Sequence, residues 1–112
     1  MHMALRVKSM LRGTLELLLL EALREGPLHG YAIARRIEAQ TDDVLRVEEG
    51  SMYPALYRLE DQGLVQATWS QIKGRRSRVY RLTAAGRERL AAERRDWTAF
   101  SRAVTRMVGA SK

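Results

Sequence analysis

No cysteine occurs among the 112 residues. A disulfide framework and a thiolate metal site are both excluded. No apolar run approaches the roughly 20 residues that cross a bilayer. The longest leucine run covers only 17–20. The N-terminus lacks the apolar core and small-residue cleavage site of a signal peptide. A cytoplasmic location without a membrane partner is the expectation. Catalytic signatures are also missing. The chain has no GxxxxGK phosphate loop followed by Ser or Thr, and no HExxH pair. His29 is the one interior histidine, and local packing accounts for it. Ser51 sits in GSMYP, which does not resemble a GxSxG elbow and offers no evident base. Asp42 and Asp43 lack the further spaced oxygen ligands of a hard-cation site. Neither an enzyme nor a cofactor nor a metal is expected.

What is present is directed charge. The net charge is +7, but it is unevenly placed. Residues 13–70 carry a net of −5, while 71–82 carry five positive charges and no negative one. Residues 1–12 add three positive charges, and 83–112 a net of +4. A cationic segment beside an acidic middle suits an anionic partner better than uniform basicity would. The length suits one folded unit with a small core.

The stretch 47–82 organises the rest. Met52, Leu56 and Leu59 recur at spacings of four and three, which predicts a helix over 51–62. Ser51 is its candidate N-cap, Pro54 belongs in its first turn, and Gly63 suits the left-handed position past its end. Leu64, Val65, Ala67 and Trp69 read as a strand, and Val79, Tyr80 and Leu82 as a second. Between them QIKGRRSR forms a basic turn around Gly74.

Upstream, Leu11, Leu15, Leu18, Leu19, Ala22 and Leu23 mark one face of a first helix, with Leu17 and Leu20 off it. Gly26 and Pro27 break the chain before a short amphipathic helix over 31–40. Leu45 and Val47 are expected to add a third strand to the basic hairpin. Thr83 caps a last helix of about 25 residues, roughly 38 Å long. Gly86 lies near its start, where fraying makes a glycine inexpensive.

The fold class is therefore mainly α with a small antiparallel β wing. It is a winged helix-turn-helix with N- and C-terminal dimerisation helices. Residues 1–82 form the DNA-binding unit and 83–112 the dimerisation helix. The apolar stripe of the last helix exceeds what a small core covers, so Leu90, Trp97, Phe100, Val104 and Met107 are expected to meet a second subunit. Leu15, Leu18 and Leu19 join them from the first helix.

Double-stranded DNA is the expected partner of the other end. The free N–H groups of the 51–62 helix favour phosphate, with Ser51 and Tyr53 nearest and Tyr57 and Arg58 one turn on. Lys73, Arg75, Arg76 and Arg78 are the wing candidates. Tyr31, Arg35 and Arg36 flank them from the second helix. The competing class is a protein-binding adaptor on the same scaffold, which would bind duplexes weakly and without salt dependence.

Four strings, LRGTLELLLLEAL at 11–23, GPLHGYAIARRI at 26–37, VEEGSMYPALYRLEDQGLV at 47–65 and RVYRLTAAGRERL at 78–90, resemble the PadR family of transcriptional regulators. The resemblance covers nearly the whole chain in its short form, with one helix after the wing. It implies a homodimeric repressor on a palindromic operator, with Tyr31, Ser51 and Tyr53 near DNA and Gly50 and Pro54 at the entry of the recognition helix. Some family members bind phenolic or planar aromatic effectors near the dimer interface, and related ones use a tryptophan there. Trp97 lies on the matching helix, where plain dimer packing is its other role.

Overall fold

Apolar spacing and punctuation set the element order. The computed structural model describes residues 5–6 and 12–109. Strand β1 is Leu5–Arg6, helix α1 Arg12–Ala22, strand β2 Leu28–His29, helix α2 Gly30–Gln40 and strand β3 Leu45–Arg46. Helix α3, Glu49–Asp61, precedes the hairpin of β4, Val65–Ile72, and β5, Arg75–Leu82. Helix α4, Ala84–Val108, closes the chain. Leu11 and most of the basic arm over 1–12 lie outside the described residues.

Helix α1 runs through the middle and packs against α2, α3 and α4. Leu19, Leu20 and Leu23 are fully enclosed, together with Ile33 from α2 and Met52, Leu56 and Leu59 from α3. Each such side chain contributes about 1.5–3 kcal/mol of burial. Tyr80, Val65 and Leu82 roof the core from the sheet, and Leu90 seals it from α4. The face of α1 differs from the expected one. Leu20 is in the core, whereas Leu18 is only partly covered.

Two ends behave as their residues dictate. Gly63 takes φ 75°, its N–H donates to the Glu60 carbonyl, and the Leu64 N–H donates back to the Leu59 carbonyl. This paired closure ends α3 and turns the chain into β4. Thr83 caps α4, its Oγ1 accepting from the Gly86 N–H at 3.0 Å. Gly86 is not a tolerated weakness of that helix. It is buried, and a Cβ there would run into the Leu64 carbonyl oxygen. The glycine is what lets α4 lie against the α3–β4 turn.

Helix α3 starts earlier than its polar signals suggest. Its N-cap is Glu48, whose carbonyl accepts from both Ser51 and Met52, so Ser51 is already helical and caps nothing. Pro54 then falls beyond the first turn. Its ring removes the N–H that the Gly50 carbonyl would have used, and Gly50 and Pro54 are both exposed. The third strand of the sheet is also different. β2, not the 45–47 segment, pairs with β5, giving the order β2-β5-β4 with all neighbours antiparallel. β3 pairs instead with β1, in parallel.

The basic tip is tighter than an eight-residue loop. Only Lys73 and Gly74 turn, both with positive φ, as a two-residue hairpin loop of the primed type requires. Arg75, Arg76 and Arg78 are strand residues. Ladder pairing puts Arg76 and Arg78 on the face shared with Trp69 and Tyr80, and Arg75 on the opposite face.

The outer half of α4 projects. The radius of gyration is 15.0 Å, against about 13 Å for a compact chain of this length. Among the described residues no helix is long and apolar enough to cross a membrane, and no cluster of His, Cys, Asp and Glu fits a metal ion.

Candidate nucleic-acid interface

Helix α3 buries Met52, Ala55, Leu56 and Leu59, which leaves Gly50, Tyr53, Pro54 and Tyr57 on its outer side. Tyr57 is 48% exposed. Tyr53 is half-buried, and its ring occupies the space a side chain at Gly30 would need. Gly30 thus sets how closely the start of α2 meets α3. Burial, with Glu49 and Tyr57 adding to it, pushes the Tyr53 phenol above its ordinary value.

The hairpin tip faces the starts of α2 and α3 across a cleft of about 570 Å³. Tyr31 and Glu49 stand on one wall, and Lys73, Arg75, Arg76 and Ser77 on the other. Lys73, Arg75 and Arg76 are exposed, and no carboxylate among the described residues lies within ion-pair distance of them. Tyr31 is 65% exposed and lies beside Arg35, whose guanidinium carbon is 5.8 Å from the ring centre.

Three of the expected DNA contacts are already engaged. Arg58 reaches back to α1, its Nε 3.5 Å from Glu16 Oε2, and not outward to a base edge. Arg78 donates to Glu60 of α3 at 2.8 Å. Arg36 lies 3.4 Å from Glu25. Each guanidinium spends part of its charge inside the protomer. Ser51 is half-buried within the first turn of α3. Trp69 and Glu60, by contrast, carry more of the wing geometry than their sequence context indicates. Trp69 appears there only as a strand residue, and its offset from Arg76 becomes visible once the ladder register is known.

At the other end, Leu15, Leu19 and Leu90 are sealed in the protomer's own core and are closed to a second chain. The outward stripe is Trp97, Phe100, Val104, Met107 and Val108, with Met107 86% exposed. The Trp97 and Phe100 rings meet at 5.9 Å. Hollows of about 330 and 390 Å³ flank Trp97, both touching Leu17, and the second also Leu18. Glu93 lines the first of them. Its Oε1 is buried without a hydrogen-bond partner. Burial pushes the Glu93 carboxyl up, with Glu16 and Asp96 adding to the effect and Arg89 opposing it.

This geometry has relatives. Residues 19–92 match the profile described as the transcriptional regulator PadR-like family. The chain is 33% identical over 93 residues to Transcriptional regulator Rv3488 of Mycobacterium tuberculosis, covering 83% of this chain and 84% of that protein. It is 47% identical over 78 residues to an uncharacterized 37.1 kDa protein in transposon TN4556 of Streptomyces fradiae, covering 70% of this chain. The chain spans only 21% of that second relative's length. The structure of a transcriptional regulator from Clostridium thermocellum superposes with a TM-score of 0.80 at 27% identity, over 87% of this chain and 95% of that one. Helices α2 and α3, the β4–β5 hairpin and the last turn of α1 all fall within the matched span, and the chain belongs to the PadR-like family of transcriptional regulators, which bind DNA.

Proposed function

We propose that the chain acts as a homodimeric repressor on a palindromic operator. The observation that carries the DNA half is the cleft. It brings the exposed cations at the hairpin tip to the same side as the starts of α2 and α3. Phosphate contacts come from Lys73, Arg75 and Arg76 of the wing and from Tyr31 and Arg35 of α2. Tyr53 and Tyr57 on the outer side of α3 approach the groove. This helix has few free cations, so selectivity depends largely on duplex shape and bridging water.

The dimer half rests on the α4 stripe of Trp97, Phe100, Val104 and Met107, with Leu18 of α1 at its margin. These apolar side chains are exposed in one protomer and become covered by a second. Residues 84–108 thus serve as the dimerisation helix, and the part before them as the DNA-binding unit. Two-fold pairing sets half-sites about 10–10.5 base pairs apart, or a multiple of that. A regulator of genomic DNA of this kind works in the cytoplasm.

The hollows on both sides of Trp97 favour a second role for that residue. A small planar aromatic effector stacks there at the dimer face, beside the packing role. The test of the main reading is selection of bound fragments from the source genome, followed by a reporter fused to the best site. A repressor lowers reporter output, and its site carries inverted half-sites. Salt-insensitive or absent duplex binding rejects the reading in favour of a protein-binding adaptor.

A further inference from the structure

We propose that Trp69 is a positioning residue for DNA binding, holding the Arg76 guanidinium on the wing at a fixed offset from the recognition helix α3. The proposal rests on the reading of the wing as a phosphate contact. Trp69 is 59% exposed, at the far end of a strand face whose inner residues already close the core. Below it, Ala67 pairs with the buried Tyr80, and Val65 with Leu82. The indole is therefore not needed to seal the interior. Above it, Gln71 pairs with Arg76, so Arg76 is the diagonal neighbour of Trp69 on the same face. Such neighbours are within reach of long side chains.

Two guanidinium groups lie over the ring. Arg76 is 4.4 Å from the ring centre and Arg78, the direct cross-strand partner, is 5.7 Å. Both distances fall within the range of cation–π attraction. The two arginines differ in their other contacts. Arg78 is tied to Glu60 of α3 at 2.8 Å, while Arg76, which borders the cleft, has no carboxylate partner among the described residues. Trp69 thus connects an anchored cation to a free one. A free arginine on a hairpin tip samples many rotamers and loses them on meeting a phosphate. Stacking on Trp69 restricts those rotamers beforehand, without changing the charge that the wing offers.

The test uses the full chain and a fixed mixed-sequence duplex, with Trp69→Leu, Trp69→Phe, Arg76→Ala and the double variant W69L/R76A. Trp69→Leu should weaken binding about two- to fivefold per protomer. Its slope of log affinity against log salt should match that of wild type. Arg76→Ala should lower that slope by about 0.9 per protomer. In the Arg76→Ala background, Trp69→Leu should add nothing. With Arg76 present, Trp69→Phe should lose less than Trp69→Leu. The Arg76 Nε–H resonance should lie upfield in wild type and move downfield in Trp69→Leu, with no DNA present. Equal weakening by Trp69→Leu in both backgrounds overturns the proposal, as does an unmoved Arg76 resonance. If wild type binds duplex with a normal salt slope while Trp69→Leu binds equally well, this proposal alone falls. If wild type binds no duplex, the reading of the wing falls and takes the positioning role with it.

Discussion

Replacing Arg75 and Arg76 with alanine tests the electrostatics of the wing quantitatively. Both side chains are exposed on strand β5, on opposite faces, and both line the cleft beside the starts of α2 and α3. Neither has a carboxylate partner among the described residues, so each is available to a phosphate. Each neutralised phosphate steepens the salt dependence by about 0.9 in the slope of log affinity against log salt. Loss of both cations in both protomers of a dimer should lower the slope by about 3.6. Over a fourfold rise in salt, wild type should then lose roughly 150-fold more affinity than the variant. Fluorescence anisotropy titrations at several salt concentrations measure this. Arg78→Ala is the contrast, because Glu60 already neutralises much of its charge and its slope should move far less. A double variant whose slope falls by less than about 1 would refute the assignment of these arginines to phosphate.

Further outcomes follow from other parts of the fold. Gly86→Ala should destabilise by about 1–3 kcal/mol through overpacking against the Leu64 carbonyl, although alanine normally favours a helix; a raised melting temperature would contradict that packing. Phe100→Glu combined with Val104→Glu should halve the mass seen by light scattering while the far-ultraviolet circular dichroism remains that of a folded helical protein, with a melting temperature lowered by the loss of the partner. A protein that is still dimeric would show that this stripe is not the interface. Glu93→Gln should stabilise the protein at neutral pH. The folded carboxyl is pushed above its unfolded value, so the native state binds its proton more tightly. The Glu93 contribution is thus retained below the ordinary carboxylate range and lost as pH rises through the raised value. The gain from Glu93→Gln should therefore vanish on acidification, and a gain independent of pH would exclude the carboxyl as its cause.

Much of the fold was legible in the residues because its signals are local. The spacing of Met52, Leu56 and Leu59, the glycine at 63 and the cap at Thr83 each act within a turn or two of the chain. The features that were not legible depend on distant partners. Nothing near Leu45 indicates that it pairs with Leu5 and not with the hairpin. Gly86 resembles a weak helix residue until the Leu64 carbonyl is brought against it. Leu15, Leu19 and Leu90 belong to stripes that continue outward, and only packing decides where each stripe leaves the core. The proposed DNA-facing set divides in the same way. Arg75 and Arg76 are readable from charge alone. The withdrawal of Arg58 to Glu16 and of Arg78 to Glu60 required ion-pair partners 42 and 18 residues away in sequence.

Hydroxyl-radical footprinting of a genomic fragment selected by the wild-type protein is the most direct measurement. Two protected half-sites related by a two-fold axis are expected, each with a groove patch and a flanking backbone patch that disappears when Arg75 and Arg76 are alanine. A single unpaired patch, or a flank that persists in the double variant, would contradict the account.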